Sequence, residues 1–497
     1  MPQMPAMSTR RRPGLAGRFL PGRSAHQTVL TALTALTVLG CAVNPATGRR
    51  EFSLVSEGQE IAMGQQGAQS VEGTFGLYPD DALQAYVSRI GMSMAAKSER
   101  PEIPWRFGVV EDAAINAFAL PGGPVYFTRG ILTHMNSEAE MAAVMGHEIG
   151  HITARHSAQQ MTRSSALQLG LGVGSILSEQ IASVAGVANM GLGLLMLRYG
   201  RDAETQADEL GFRYMMTDGY DPRAMRDMFT MLSRVSGGEG RLPTWLATHP
   251  YPEDRLARTD ERIAATTTSL SGLKVGRDEF LQRIEGIVFG ENPRHGYFEG
   301  REFLHPDLRF RFSFPEGWQA RNGAEAVAAM SPNEDAIIEL RLAPGTDAAA
   351  ALREFIGQEG LQSDQAQSTT VNGMPAATAE FQAQTEQGVL RGRVAFIAWD
   401  GRTYRILGYT TQQAYGNYRP LIMATQGSFN RVTDQAVLNR QPDRVRIVTL
   451  SRAMTLTAFN SSYPSTIPIE QLALINGVEP GTQLAAGRKV KRVTTGR

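Results

Sequence analysis

The sequence predicts a multidomain α+β protein: a mainly helical domain with a small sheet, then an α+β domain, then a small βααβ module. Three observations carry this. The chain has 497 residues, too many for a single core, so about two to four domains are expected. Apolar residues recur at helical spacing from Ser56 to Val71, from Asp80 to Ala96 and again from Met141 to Ile149. From Tyr297 onward the pattern changes to period-two alternation, as in Leu308-Arg309-Phe310-Arg311-Phe312-Ser313-Phe314.

Hydrophobic content of 42% and charged content of 20% describe ordinary globular protein. Formal net charge is zero, but residues 1–40 hold five arginines and no acid, which leaves 44 basic against 49 acidic residues in the remainder. That mildly acidic balance argues against nucleic acid as a partner. The basic start is followed by the apolar run Val29–Leu39 and then Gly40-Cys41, the pattern of a signal peptide over 1–40. Cys41 is the only cysteine, so no intramolecular disulfide forms. Val38-Leu39-Gly40-Cys41 resembles the bacterial lipobox, which implies lipidation of Cys41 and a membrane anchor; a buried or uncleaved signal-anchor cysteine is the plain alternative. Ala42 and Val43 lack the aspartate associated with inner-membrane retention, so the resemblance points to the periplasmic face of the outer membrane.

Trp105–Val110, Ile115–Leu120 and Val125–Thr128 have strand composition, the last two flanking the turn Pro121-Gly122-Gly123-Pro124. Such a strand beside a cleft can add a peptide by main-chain hydrogen bonds, or be a structural hairpin and no more. Ser137-x-x-Glu140 then offers a capping box for a helix containing His147-Glu148-Ile149-Gly150-His151. Residues i and i+4 share a helical face, so His147 and His151 can bind one zinc ion together. Glu148 is placed to act as general base on a metal-activated water. The alternative is an ordinary surface helix.

Two histidines under-coordinate zinc. A metzincin site would need Gly at 154 and His at 157, where the chain has Ala154 and Ser157, and His156 is expected to face elsewhere on the helix as a structural residue. The better third ligand is Glu204, on a helix opening at Arg201, with Asp208 one turn on to accept the free ring N–H of a ligand histidine. Between these helices, Ala166–Leu197 carries one charge and several glycines; a hairpin packed on the zinc domain is expected, a pair of membrane spans being the alternative.

His147-Glu148-Ile149-Gly150-His151 with Glu204-x-x-Ala207-Asp208 resembles the HtpX, BepA and CAAX-prenyl-protease family of zinc endopeptidases, which would make residues 41–265 a gluzincin-type domain. Asn116, Ala117 and Phe118 match that family's substrate-binding strand. Thr248-His249-Pro250 followed by Arg255 matches a further family element. The resemblance implies a Zn2+ cofactor, a His249 that closes over the metal and swings away for catalysis, and an Arg255 that supports the site or the oxyanion. It also implies unfolded or misassembled envelope proteins as substrates. The competing class is a binding or chaperone-like envelope lipoprotein with a latent or structural zinc site.

Residues 266–296 read as a linker with a short helix. Within 297–432, strands are expected at 308–314, 336–342, 376–381, 391–399 and 403–409, the last two joined by an Asp400-Gly401 turn, with helices near 348–357 and 414–425. Phe314-Pro315-Glu316-Gly317-Trp318 is similar to the opening of PsbP-like domains. After a second linker over 433–442, residues 443–497 resemble a LysM module, which implies peptidoglycan as a partner; Ser451–Thr455 replaces the usual Gly-Asp-Thr.

Overall fold

The computed structural model describes residues 41–171, 198–236, 244–250, 252–385 and 388–496. The expected signal segment and residues 172–197 of the expected hairpin lie outside the described residues. No described helix is long and apolar enough to cross a membrane.

An antiparallel pair, β1 (Cys41–Val43) and β2 (Arg50–Phe52), leads into α1 (Glu57–Phe75) and α2 (Asp81–Ala95), capped by the side chains of Ser56 and Asp80. A three-stranded sheet follows, made of β3 (Arg106–Val110), β4 (Ala117–Ala119) and β5 (Pro124–Thr128). Its order is β3-β5-β4, so the expected hairpin is β4–β5 and β4 is the edge. The turn needs its glycines: Gly122 sits at φ 72°, and a Cβ there would lie 2.5 Å from the Ile61 Cα.

The helical body comprises α3 (Arg129–His134), α4 (Glu138–Thr153), α5 (His156–Leu171), α6 (Arg201–Thr217), α7 (Ala224–Ser236), α8 (Thr244–Thr248), α9 (Pro252–Ala265) and α10 (Arg277–Arg283). Every residue of α4 is buried, so the helix with the two histidines is a core element enclosed on all sides rather than an amphipathic surface helix. Ser137 accepts from the Glu140 N–H as expected, but the Glu140 carboxylate reaches one residue further back, to the Asn136 N–H at 2.8 Å. The remaining orphan donors at this end, the N–H groups of Glu138 and Ala139, find the carbonyls of Gly276 and Val275. The segment expected as a free linker is thus a packed strap: Phe280, Leu281 and Ile284 are core residues and Lys274 pairs with buried Glu138.

α4 and α6 pack along a seam of small residues. A Cβ at Gly146 would lie 3.0 Å from the Gly211 Cα, one at Gly150 3.0 Å from the Ala207 carbonyl oxygen, and one at Gly211 2.9 Å from the His147 nitrogen. Close approach of the two backbones is what sets the functional side chains of α6 against those of α4.

The second region begins after β6 (Val288–Phe289). β7 (Tyr297–Glu299), β8 (Glu302–His305) and β9 (Phe310–Ser313) form a small sheet. The main sheet contains β10 (Gln319–Asn322), β11 (Ala326–Met330), β12 (Ala336–Ala343), β13 (Leu361–Val371), β14 (Met374–Thr385), β15 (Gly388–Trp399) and β16 (Arg402–Thr411). All its pairings are antiparallel, in the order β10-β11-β12-β16-β15-β14-β13. α11 (Ala348–Ile356) and α12 (Tyr415–Ser428) pack on it. Asp400 and Gly401 turn at φ 47° and 72°, as the hairpin dipeptide requires. β10, β11 and the polar, exposed edge strand β13 have no counterpart in the sequence reading. β17 (Asn430–Arg431) and α13 (Gln435–Leu438) lead to the last region.

There, β18 (Asp443–Thr449), β19 (Met454–Thr455), α14 (Leu456–Ser462), α15 (Ile469–Asn476), β20 (Gln483–Leu484) and β21 (Lys489–Thr495) give two helices with two strands on each side, where the sequence predicts one on each side. This region does not hang from a tether. β18 pairs with β6, and Val445, Leu472, Ile475 and Val493 belong to the same core as α4. Lys491, fully buried, donates to the carbonyls of Thr133 and Met135 just before the α4 cap.

A candidate metal centre

Four buried side chains converge between α4, α6 and the loop after α8. His147 Nε2 lies 3.0 Å from His151 Nε2 and 3.2 Å from His249 Nδ1. Glu204 Oε1 lies 3.0 Å from His249 Nδ1 and 3.6 Å from His151 Nε2. A tetrahedral zinc with ligand bonds of about 2.0–2.1 Å separates its donors by about 3.3–3.4 Å, so these spacings frame an ion of that size. The donors all fall within 4.8 Å of one another.

The donor chemistry fits as well. Burial, reinforced by the nearby Arg255 charge, pushes His147 down to about 4, and burial with its neighbouring histidines lowers His151 well below the ordinary imidazole range. Both imidazoles are therefore neutral, as metal ligands must be. His147 Nδ1 donates to Asp208 Oδ1 at 2.9 Å, leaving Nε2 with its lone pair. Burial works against the charge on Asp208, but Arg255 and His147 hold its carboxyl well below the usual range. Arg255 donates from Nε and Nη2 to Asp208 at 2.8 and 2.6 Å. Its Nη1 stands 2.8 Å from Glu204 Oε2 as an ion pair without hydrogen-bond alignment, so that oxygen has no hydrogen-bond donor. Arg255 balances these two buried carboxylates, and it is Glu204 Oε1 that faces the histidine nitrogens.

Glu148 occupies the other side. Burial raises its carboxyl to about 7, Glu204 adds to the effect, and His249 and Trp245 oppose it. Oε1 accepts a long bond from the Trp245 indole at 3.4 Å and has His249 Nε2 at 3.6 Å. Oε2 is buried with no partner. A proton-accepting oxygen thus stands free beside the ligand cluster.

The structure brings His147, Glu148, His151, Glu204, Asp208, His249 and Arg255 together. Asn116, Ala117 and Phe118 sit differently. The Phe118 side chain packs in a separate apolar cluster with Tyr126, Val71 and Leu120, and β4 is an edge strand of its sheet. The Trp245 backbone N–H bonds the Ile115 carbonyl, two residues before that strand. Cys41 lies in β1, remote in sequence from the site.

Trp245, Tyr199 and His156 were not foreseen here. Trp245 stacks on His249 with ring centroids 4.6 Å apart and lies under the Arg255 guanidinium at 4.8 Å. Tyr199 stacks on His151 at 4.0 Å. The helix expected to carry His156 onward from His151 instead breaks at Arg155, which adopts φ 57°, and the new helix returns His156 to His151. An isolated tryptophan or tyrosine in sequence carries no sign of such placement.

Residues 81–263 match the model of peptidase family M48. Over 272 residues the chain is 32% identical to the beta-barrel assembly-enhancing protease of Escherichia coli (strain K12), covering 53% of this chain and 54% of that protein. It is 32% identical over 223 residues to the mitochondrial metalloendopeptidase OMA1 of Schizosaccharomyces pombe, covering 44% and 65%. It is 29% identical over 170 residues to metalloprotease YcaL of Escherichia coli (strain K12), covering 33% and 63%. The chain thus spans between about half and two thirds of these relatives' lengths. Among solved structures, cyanobacterial PsbP from Synechocystis sp. PCC 6803 aligns with 26% of this chain and 91% of that one at 14% identity, with a TM-score of 0.23, a likeness too slight to assign the domain.

Proposed function

We propose that this chain, which carries a peptidase family M48 domain over residues 81–263, is a zinc-dependent metalloendopeptidase acting on misfolded or stalled envelope proteins. The observation that carries the reading is the partnerless Glu148 Oε2 beside a buried His147, His151, Glu204 and His249 cluster. A purely structural metal site has no use for a base in that position.

His147, His151 and Glu204 would hold the ion, with His249 as a fourth, displaceable donor. When bound, zinc supplies Lewis acidity, polarising a scissile carbonyl and making water a competent nucleophile near neutral pH. Glu148 takes the water proton on Oε2 as the oxygen adds to the carbonyl carbon. It then delivers that proton to the departing amine nitrogen. Asp208 keeps the His147 proton on Nδ1, and Arg255 balances the charge of Asp208 and Glu204. The substrate main chain pairs with β4 once Trp245 and His249 move aside.

The placement in the envelope is part of the same reading. Cys41 is the lipid attachment point, the periplasmic side of the outer membrane the address, the second region a PsbP-like docking domain and the last a LysM-like module facing peptidoglycan. The name of the Escherichia coli relative, a beta-barrel assembly-enhancing protease, suits misassembled envelope proteins as substrates. One observation favours a second reading, a binding lipoprotein with a structural zinc: His249 already occupies a fourth donor position. Hydrolysis of casein by zinc-loaded wild-type protein and its loss in zinc-retaining Glu148→Gln supports the enzyme. Equal cleavage by both removes Glu148 from the reaction, and no cleavage by either leaves the structural site.

A further inference from the structure

We infer that His156 and Gln206 are positioning residues for His151, fixing which of its ring nitrogens carries the proton. The inference rests on the reading of His151 as a zinc ligand.

His151 can offer Nε2 to a metal only if its proton sits on Nδ1. That nitrogen lies 2.9 Å from His156 Nδ1. Two ring nitrogens at that distance share one hydrogen, so a His151 Nδ1–H requires an unprotonated His156 Nδ1. A neutral His156 then carries its hydrogen on Nε2, which faces Gln206 Oε1 at 2.9 Å. A carboxamide oxygen can only accept, so the chain of hydrogen bonds ends as the metal needs it to end. With the Gln206 amide reversed, the nitrogen would donate to His156 and every proton in the chain would shift, leaving His151 Nε2 protonated.

The local fold enforces this contact. Arg155 at φ 57° breaks the helix between the two histidines, and it is held there by Glu60 Oε2 at 2.8 Å and the Val55 carbonyl at 2.9 Å. His151 and His156 are almost fully buried, so water does not compete for their nitrogens. Tyr199 covers the His151 ring face and is itself fixed by Ser157 Oγ at 2.9 Å. His147 receives its proton placement from Asp208; His151 receives its own through a neutral relay, with no carboxylate among the described residues paired to its Nδ1.

The test measures the zinc dissociation constant of the full chain by competition with a chromophoric chelator, together with 15N shifts of the histidine rings in the zinc-free protein. Gln206→Leu and His156→Phe should weaken zinc by about 10–100-fold, and Gln206→Leu should abolish the single Nδ1–H form of His151. Gln206→Glu, which keeps an acceptor at this position, should bind zinc about 10-fold or more tighter than Gln206→Leu at a pH where His156 is neutral. A Gln206→Leu protein with wild-type affinity and an unchanged His151 tautomer overturns the inference, and a lowered melting temperature alone does not support it. Wild-type protein that binds no zinc overturns the underlying site reading as well, which separates the two failures.

Discussion

Replacing Gly211 with alanine tests how the centre is assembled. The added Cβ would stand 2.9 Å from the His147 backbone nitrogen and 3.0 Å from the Gly146 carbonyl carbon, where ordinary contacts begin at 3.4 Å. Both neighbours are backbone, so neither can turn away, and α6 must move off α4 by about half an ångström. Metal ligands tolerate displacements of about 0.2 Å, and Glu204 and Asp208 ride on the helix that moves. Overpacking of this kind costs about 1–3 kcal/mol of stability, and zinc affinity should fall by about 10–100-fold, or about 1.4–2.8 kcal/mol. Chelator competition gives the affinity, and urea unfolding with excess chelator gives the zinc-free stability. Gly58→Ala is the control, because nothing lies within 4 Å of its Cβ and alanine favours the helix. A Gly211→Ala protein that binds zinc as tightly as wild type would refute the idea that close backbone approach sets the site.

Three further outcomes follow from the geometry. His249→Ala should keep one zinc per chain on His147, His151 and Glu204 and change the rate of casein cleavage; a metal-free protein would make His249 an obligatory ligand. Lys491→Met strands the Thr133 and Met135 carbonyls, bonded at 2.9 and 2.7 Å, and should cost about 1–3 kcal/mol per unsatisfied group. Because those carbonyls precede the α4 cap, cleavage and the last region should be lost in one thermal transition, and two separate transitions would show an independent module. In the His249→Ala protein zinc affinity should change little between about pH 8 and about pH 6, since His147, held down near 4, has no proton to release over that range. In wild type His249, which Glu204 and Glu148 raise above its ordinary value against the effect of burial, adds a pH dependence. A tenfold loss across that range in the variant would mean that a ligand histidine titrates normally.

The reacting residues were largely legible in the sequence because helical periodicity converts spacing into geometry. His147 and His151 share a face by their separation alone, and Glu204 with Asp208 does the same on a second helix. What periodicity cannot express is how the two helices meet. Gly146, Gly150 and Gly211 read as helix-weakening residues in sequence, and only packing shows that they form the seam. The break at Arg155 was hidden for a similar reason: its left-handed backbone is stabilised by Glu60 and Val55, distant in sequence. Strand β13, with polar residues on both faces, offers no alternation to detect. The strap at Lys274–Gly276 looked like a linker because its work is done by backbone carbonyls, which leave no mark on residue identity.

Anomalous scattering at the zinc edge from crystals of the zinc-loaded full chain would test the central claim most directly. One peak per chain is expected, bonded at about 2.0–2.2 Å to His147 Nε2, His151 Nε2 and a Glu204 carboxylate oxygen. A peak elsewhere, or one that leaves Glu204 beyond bonding distance, would contradict it.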